Sequence, residues 1–156
     1  MSVQTTEQFW KRYLKSLSKH HLHRDASYIA WGFGDSPEMA DELGQLVYQG
    51  VKTATASLLW EYEYDGEPLP KVSDLSIVRD GGGCPLCIIE TTEVKIVPFN
   101  QVDARFAHDE GEGDGSLKYW RSVHWSFFCR HCQRIGRESV ETMPVVCERF
   151  HVVFRV

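Results

Sequence analysis

The chain has 156 residues, a length that fits one domain with a full hydrophobic core. Hydrophobic residues make up 42% and charged residues 25%, with a formal net charge of -5, which excludes a disordered, collagen-like or coiled-coil protein and argues against one that coats polyanions through bulk charge. The chain has no apolar run of the ~20 residues that cross a membrane, and its first residues lack a secretory apolar segment. We therefore expect a cytoplasmic protein without a membrane partner.

The first predicted element is an amphipathic helix that begins near Glu7. Its apolar positions recur at helical spacing: Phe9, Tyr13, Leu14 and Leu17. Its other face is basic and leads into a histidine-rich segment that ends at Arg24. That face is either a phosphate-contacting surface or, as for most charge runs, a solvated helix face. We assign residues 1–27 to an N-terminal helical extension and residues 28–156 to the main domain.

The second predicted helix has clear start and stop signals. Ser36 can cap it, Pro37 fits its first position, and Gly50 can end it in the left-handed conformation. An extended segment is predicted over 51–64. Two paired strands, over 75–79 and 87–97, are predicted to meet around a run of three glycines.

The last third of the chain is predicted to contain an acidic loop, a helix and a strand. The loop covers 107–115, the helix runs from about Ser116 to Ile135, and the strand covers 145–156. Trp120 and Phe127 are expected in the core, on a side of the helix that six residues line: Leu117, Trp120, Val123, His124, Phe127 and His131. Helices and strands are mixed without a regular alternation, so the fold class is α+β, with a small sheet or barrel that helices cover.

Two Cys-x-x-Cys pairs have a spacing that suggests a metal site. Cys84 with Cys87, and Cys129 with Cys132, could supply four thiolates to zinc. However, the separation between the pairs is about twice that of a zinc ribbon. Cys87 opens a predicted strand, and the second pair lies inside a predicted helix. We therefore predict free thiols, no metal site and no cofactor.

Two further segments carry residues suited to catalysis. Lys52 follows a helix stop among small and hydroxyl residues, which leave room for a ligand. It could act as a base if desolvation lowered its pKa from about 10.4, or as a cation that stabilises an oxyanion, or it could be an outward-facing strand lysine. Glu110 belongs to an acidic cluster that resembles half of a calcium loop. That interpretation fails because Arg121 stands where the loop needs a glutamate.

Seven motifs occur along the chain in a characteristic order: FGDSPE at 33–38, GVKTAT at 50–55, PKV at 70–72, ETTEV at 90–94, FAxxEGEGD at 106–114, SLxxWR at 116–121 and MPVVCERF at 143–150. Together they resemble the ASCH family over residues 28–156. The resemblance implies a PUA-like small β-barrel with flanking helices. It also implies a partner or substrate that is RNA or a nucleoside.

The resemblance implies an activity and the residues that carry it. Small members of the family hydrolyse acetylated cytidine with the Lys and Thr of a Gly-x-Lys-x-x-Thr motif and a downstream Glu, and ribonuclease activity is ascribed to longer members. By motif, these catalytic roles fall on Lys52, Thr55 and Glu110 of a metal-independent hydrolase. The alternative is a non-catalytic RNA-binding module. The positions expected to bind substrate or nucleic acid are Asp35, Trp60, Arg105 and Arg121.

One geometric condition accompanies this assignment. Side chains alternate between the faces of a strand, so a regular strand would place Lys52 and Thr55 on opposite faces. Both can line one pocket only if the backbone turns or bulges after Lys52. We therefore predict an irregular backbone there, and two diverging side chains on a regular strand would count against a joint role.

Overall fold

A computed structural model describes residues 3–156, which contain five α-helices, five strands and two short 3-10 helices. The α-helices are α1 Thr6–Ser16, α2 Pro37–Tyr48, α3 Leu59–Asp65, α4 Ala104–Glu110 and α5 Leu117–Arg134. The strands are β1 Ile29–Trp31, β2 Ala54–Leu58, β3 Leu75–Arg79, β4 Pro85–Pro98 and β5 Pro144–Arg155, and the 3-10 helices are Leu22–Asp25 and Phe99–Gln101. The strands hydrogen-bond in the order β1-β3-β4-β5-β2, which confirms the α+β class. Within residues 3–156, no helix is long and apolar enough to span a membrane.

The chain divides into two compact units, and both are built from separated segments. The first unit contains the described residues up to Gly50, Ser73–Glu90 and His151–Val156. The second contains Val51–Val72 and Thr91–Phe150. The strands β4 and β5 therefore each contribute residues to both units.

The first unit is built on strand β3. It pairs in parallel with β1, where Ile29 lies opposite Ser76, and antiparallel with β4, where Leu75 lies opposite Glu90. The predicted N-terminal helix is confirmed as α1, which begins with a capping box and buries an aromatic face. The core of this unit contains Phe9, Trp10, Tyr13, Leu75, Ile77 and Ile88.

The start and stop signals of α2 are confirmed. The Ser36 hydroxyl accepts a hydrogen bond from the Met39 amide at 3.1 Å, and Pro37 is the first helical residue. Gly50 adopts a φ of 79°, in the left-handed region that glycine favours. The sequence alone is therefore sufficient to define this helix.

The second unit holds the larger core. Strand β2 pairs antiparallel with β5, so that Thr55 lies opposite Glu148 and Leu58 opposite Val145. Helices α4 and α5 contribute to a cluster of buried side chains with these two strands: Ala54, Leu58, Phe99, Val102, Phe106, Ala107, Trp120, Phe128, Cys132, Met143, Val145 and Cys147.

Three local predictions are wrong. Residues 59–65 form helix α3 instead of continuing the extended segment, and Gly66 ends that helix with a φ of 67°. Part of the predicted acidic loop is helical, because Asp103 caps α4 by accepting a hydrogen bond from the Phe106 amide at 2.8 Å. The face of α5 that is fully buried contains Trp120, His124, Phe128 and Cys132, whereas Phe127 and His131 are only half-buried. Apolar or aromatic side chains stand at adjacent positions of this helix, so periodicity does not decide which of them faces the core.

Candidate active site

Lys52 lies in a short irregular segment just before β2. The Thr53 amide donates to the Asp109 carbonyl at 2.8 Å, and the Thr53 carbonyl accepts from the Phe150 amide at 3.1 Å. These bonds hold the backbone so that strand pairing begins only at Ala54. The backbone at Lys52 is therefore irregular, as predicted from the motif spacing.

The side chain of Lys52 is buried, with an exposed fraction of 1%. Its Nζ donates to Glu110 Oε1 at 2.9 Å and to the Ala54 carbonyl at 2.8 Å, and it lies 3.9 Å from Glu112 Oε2. A charged ammonium is excluded from an apolar interior unless carboxylates and carbonyls replace its water. The interpretation of Lys52 as an outward-facing strand lysine is therefore wrong.

Glu110 reaches Lys52 because helix α4 ends at that point. Gly111 follows it with a φ of 67° and forms the left-handed C-cap. A Cβ atom on Gly111 would lie 2.5 Å from the Val51 carbonyl oxygen, closer than any side chain tolerates. The glycine thus lets the end of α4 approach the backbone beside Lys52, with the Glu110 side chain buried at 1% exposure.

Helix α5 supplies two more partners to the Glu110 carboxylate. The Trp120 indole Nε1 donates to Glu110 Oε2, and His124 Nε2 lies 3.1 Å from the same oxygen. The two rings stack with centroids 4.3 Å apart, as residues one helical turn apart can. His124 Nδ1 lies 2.9 Å from the Trp120 carbonyl, which can only accept a hydrogen bond. His124 therefore donates from Nε2 to Glu110 only as an imidazolium.

The charges of this cluster shift the pKa values of two of its members. Burial by itself raises the pKa of Glu110, but the charges of Lys52 and His124 and their hydrogen bonds lower it overall. Burial lowers the pKa of His124, but the charge of Glu110, its hydrogen bond and the charge of Glu112 raise it overall. The arrangement therefore contains two cations, Lys52 and His124, facing two carboxylates.

Three of these side chains are also of the types that bind metals. Glu110, Glu112 and His124 offer ligand atoms that all lie within 4.8 Å of one another, a group found among residues 3–156. However, the Lys52 ammonium already lies against Glu110, and His124 carries a proton where a metal would bind. A divalent cation would have to displace both charges, so these side chains are better matched to a buried lysine than to a metal.

The cysteines take no part in this cluster of ligand atoms. All five are free thiols. Cys87 and Cys132 are completely buried at 0% exposure, and burial raises the pKa of Cys87 to about 12. A thiol in such a setting packs as a small apolar side chain.

Thr55 lies on strand β2, half-buried, opposite Glu148 of β5. Residues opposite each other in an antiparallel pair share a face, so Thr55 and Glu148 lie on the face away from Ala54. Glu148 is 7% exposed and accepts a hydrogen bond from the Thr91 hydroxyl at 2.6 Å. The carboxylate on the Thr55 face is thus Glu148, which sequence analysis missed.

Comparison with known proteins agrees with the motifs. A family model described as the ASCH domain matches residues 29–154. The chain belongs to the ASCH domain family. A solved ASCH domain from Lactobacillus crispatus is 38% identical, with a TM-score of 0.90 over 96% of this chain and 94% of that one. A solved protein from Enterococcus faecalis is 40% identical, with a TM-score of 0.82 over 94% and 86% of the two chains. No curated protein matches this ASCH chain.

The four residues of this ASCH protein that are predicted to bind substrate or nucleic acid lie in different surroundings. Trp60 on α3 is half-buried, with the Arg137 guanidinium 3.7 Å from its ring centroid. Arg105 on α4 is exposed, and Arg121 on α5 is exposed with Nη2 3.4 Å from the Asn100 carbonyl. Asp35 is exposed and belongs to the first unit, just before α2. The structure thus brings Lys52 and Glu110 together.

The buried histidine predicts a pH dependence of stability. The folded-state pKa of His124 is raised above its ordinary value of 6.5, so its proton stabilises the ASCH fold fully below pH 6.5. That contribution is lost as the pH rises through the folded-state pKa. We expect the free energy of unfolding, measured by urea titration, to fall as the pH rises above 6.5, and to fall less in His124→Gln.

The exposed His108 of α4 provides the matched control for this measurement. His108→Gln should keep the wild-type slope. Imidazole NMR signals should place the pKa of His124 above 6.5. Identical slopes in wild type and His124→Gln would contradict the assignment of an imidazolium to this position.

Proposed function

We propose that this ASCH protein is a metal-independent hydrolase that acts in the cytoplasm on RNA or on N-acylated nucleosides. We also propose that its sheet is the PUA-like barrel of that superfamily. The observation that supports catalysis is the buried contact between Lys52 Nζ and the Glu110 carboxylate, which also contacts His124. Burying such charges carries a desolvation cost of several kcal/mol per ion, and groups with shifted pKa values cluster at functional sites.

The roles of these residues follow from their protonation states. With Glu110 held as a carboxylate, Lys52 acts as a fixed cation rather than as a base. A fixed cation in a buried site stabilises the negative charge that develops on the acyl or phosphoryl oxygen in the transition state. The His124 imidazolium donates both of its ring protons within the protein, one to the Trp120 carbonyl and one to Glu110, so its role is to hold Glu110 as a carboxylate. Glu110 holds both cations in place.

Thr55 supplies the hydroxyl in this proposal. The Thr55 side chain is half-buried, so a substrate can reach it. Lys52 is 1% exposed, so it acts on the substrate through its electrostatic field. We assign to Glu148, which lies opposite Thr55 on β5, the roles of orienting this hydroxyl and accepting its proton. In this proposal, Glu148 removes the proton from Thr55, and Lys52 stabilises the oxyanion.

A second candidate function is a non-catalytic RNA-binding module. The observation that favours it is the burial of Lys52, whose ammonium is already bonded to a carboxylate and a carbonyl. In that case Lys52 is a structural residue, and the exposed Arg105 and Arg121 contact phosphates.

An activity assay distinguishes these functions. Wild type, Lys52→Ala and Lys118→Ala are incubated with short RNAs and a panel of N-acylated cytidines, and products are separated by chromatography. Lys118 is an exposed lysine of α5 and serves as the matched control. We expect wild type and Lys118→Ala to turn over a substrate equally, and Lys52→Ala to be slower by about 100- to 1,000-fold.

Folding is monitored in the same samples by circular dichroism, and Glu110→Gln provides a second test of the cluster. Unchanged turnover in a folded Lys52→Ala protein would rule out the proposed site. If wild type turned over none of the substrates but bound RNA in a salt-dependent way, the binding module would replace the hydrolase.

A further inference from the structure

A second candidate site lies in the second unit, on the N-terminal half of α5. It is an open groove of about 620 Å³, within the range of small-molecule sites. Its lining contains Phe99, Asn100, Arg121, Ser122, Trp125 and Glu141. These residues are not those of the Lys52 cluster, and the proposed hydrolase mechanism uses none of them; only the alternative RNA-binding module uses Arg121, as a phosphate contact.

The side of the groove opposite α5 is held in place by hydrogen bonds and ring contacts within the protein. The Phe99 amide donates to the Met143 carbonyl and the Asn100 amide donates to the Glu141 carbonyl, both at 2.9 Å. The buried Phe99 ring lies 5.5 Å, between centroids, from the ring of Trp125 on the facing helix. A ligand in this groove therefore loses little free energy to ordering its walls.

The polar groups of the groove carry opposite charges. Arg121 is exposed, and its Nη2 makes a long contact, at 3.4 Å, with the Asn100 carbonyl. Glu141 is an exposed carboxylate that can only accept hydrogen bonds. The half-buried indole of Trp125 lines the same groove. A matching ligand needs an anionic group, an N–H donor and a flat ring.

We propose that this groove binds one nucleotide whose base carries an exocyclic amino group. The phosphate pairs with Arg121, the base lies against Trp125, and the amino group donates to Glu141. The proposal rests on the proposed function for its class of ligand. A base such as uracil presents a carbonyl oxygen in place of the amino group. That oxygen and the Glu141 carboxylate are both acceptors and repel each other, so such a base binds more weakly.

The groove is also connected to the buried cluster. The Phe99 ring stacks on Trp120 with centroids 5.4 Å apart, and Trp120 donates its indole N–H to Glu110. Two stacked rings, Phe99 and Trp120, therefore link the groove to the carboxylate that holds Lys52.

Titration calorimetry of the full chain with cytidine and uridine monophosphate tests the proposal. Wild type should bind the cytidine nucleotide more tightly. Arg121→Ala and Trp125→Leu should weaken binding of both nucleotides by about tenfold. Glu141→Gln, whose amide can donate to a carbonyl, should remove or reverse the preference. Arg130→Ala, an exposed arginine further along α5, should bind as wild type does.

Two results would overturn the proposal: no binding of either nucleotide to wild type, or equal binding by wild type, Arg121→Ala and Trp125→Leu. These results are independent of turnover. If nucleotides bind as expected but no substrate is hydrolysed, the groove stands and the hydrolase fails. If hydrolysis depends on Lys52 while the groove variants change neither nucleotide binding nor KM, the hydrolase stands and the groove fails.

Discussion

Replacing Lys52 with methionine is expected to lower the free energy of unfolding by about 3–5 kcal/mol. Methionine has a similar length but removes the ammonium that lies 2.9 Å from Glu110 Oε1. The Glu110 carboxylate, 1% exposed, would then be buried without its closest cation. Equilibrium unfolding in guanidinium chloride measures the change, with Lys118→Met, on the exposed side of α5, as a control expected to stay within about 0.5 kcal/mol of wild type.

The double variant Lys52→Met with Glu110→Gln tests the cause of that loss. Glutamine keeps an acceptor oxygen for Trp120 but removes the negative charge. A neutral pair avoids the desolvation of both ions, so we expect the double variant to be more stable than Lys52→Met alone. If the double variant were no more stable than Lys52→Met, the loss would arise from packing and not from the unpaired carboxylate.

Replacing Phe128 with alanine is expected to cost about 3–5 kcal/mol, because the ring is completely buried at 0% exposure and its removal leaves a cavity. Phe128 packs against His124 and Phe99, with ring centroids 5.7 and 6.2 Å away. Phe127→Ala is the matched variant. Its ring is only half-buried, so the cost should be about 1 kcal/mol.

The comparison of these two neighbours also tests the orientation of α5. Thermal or denaturant unfolding of the two alanine variants measures both values in the same way. Equal costs, or a larger cost at Phe127, would mean that α5 presents a different face to the core from the one described.

The sequence predicts an element correctly when local residues mark where the element begins and ends. It fails where tertiary contacts determine the structure. Helix α2 has a cap, a proline and a terminal glycine, all of which are local signals. Helix α3 was predicted as extended because its aromatic residues favour strands. The helix has no buried residue and no side-chain cap at its start, so the signals that mark α2 are missing there. In α5 the ends are correct, but the choice between Phe127 and Phe128 needs the position of the neighbouring core.

The candidate site shows the same division. The motifs identify Lys52 and Glu110, and the structure places their charged groups in contact. The helix pattern lists Trp120 and His124 among buried positions, but it does not reveal that both rings turn toward Glu110. One signal was present: His124 is a polar residue one turn after Trp120, on a side of the helix where the residues other than His124 and His131 are apolar. Its role follows only from the approach of α4 to α5.

The division of the first unit into three separated segments has a consequence for the order of folding. The aromatic face of α1 packs against Phe154 of β5, with Phe9 and Phe154 ring centroids 5.3 Å apart. Every other described element lies between α1 and β5 along the chain, and contacts of such long sequence separation form slowly. The aromatic face of α1 therefore stays exposed until β5 is in place, and an exposed apolar surface of this kind favours aggregation of a folding intermediate.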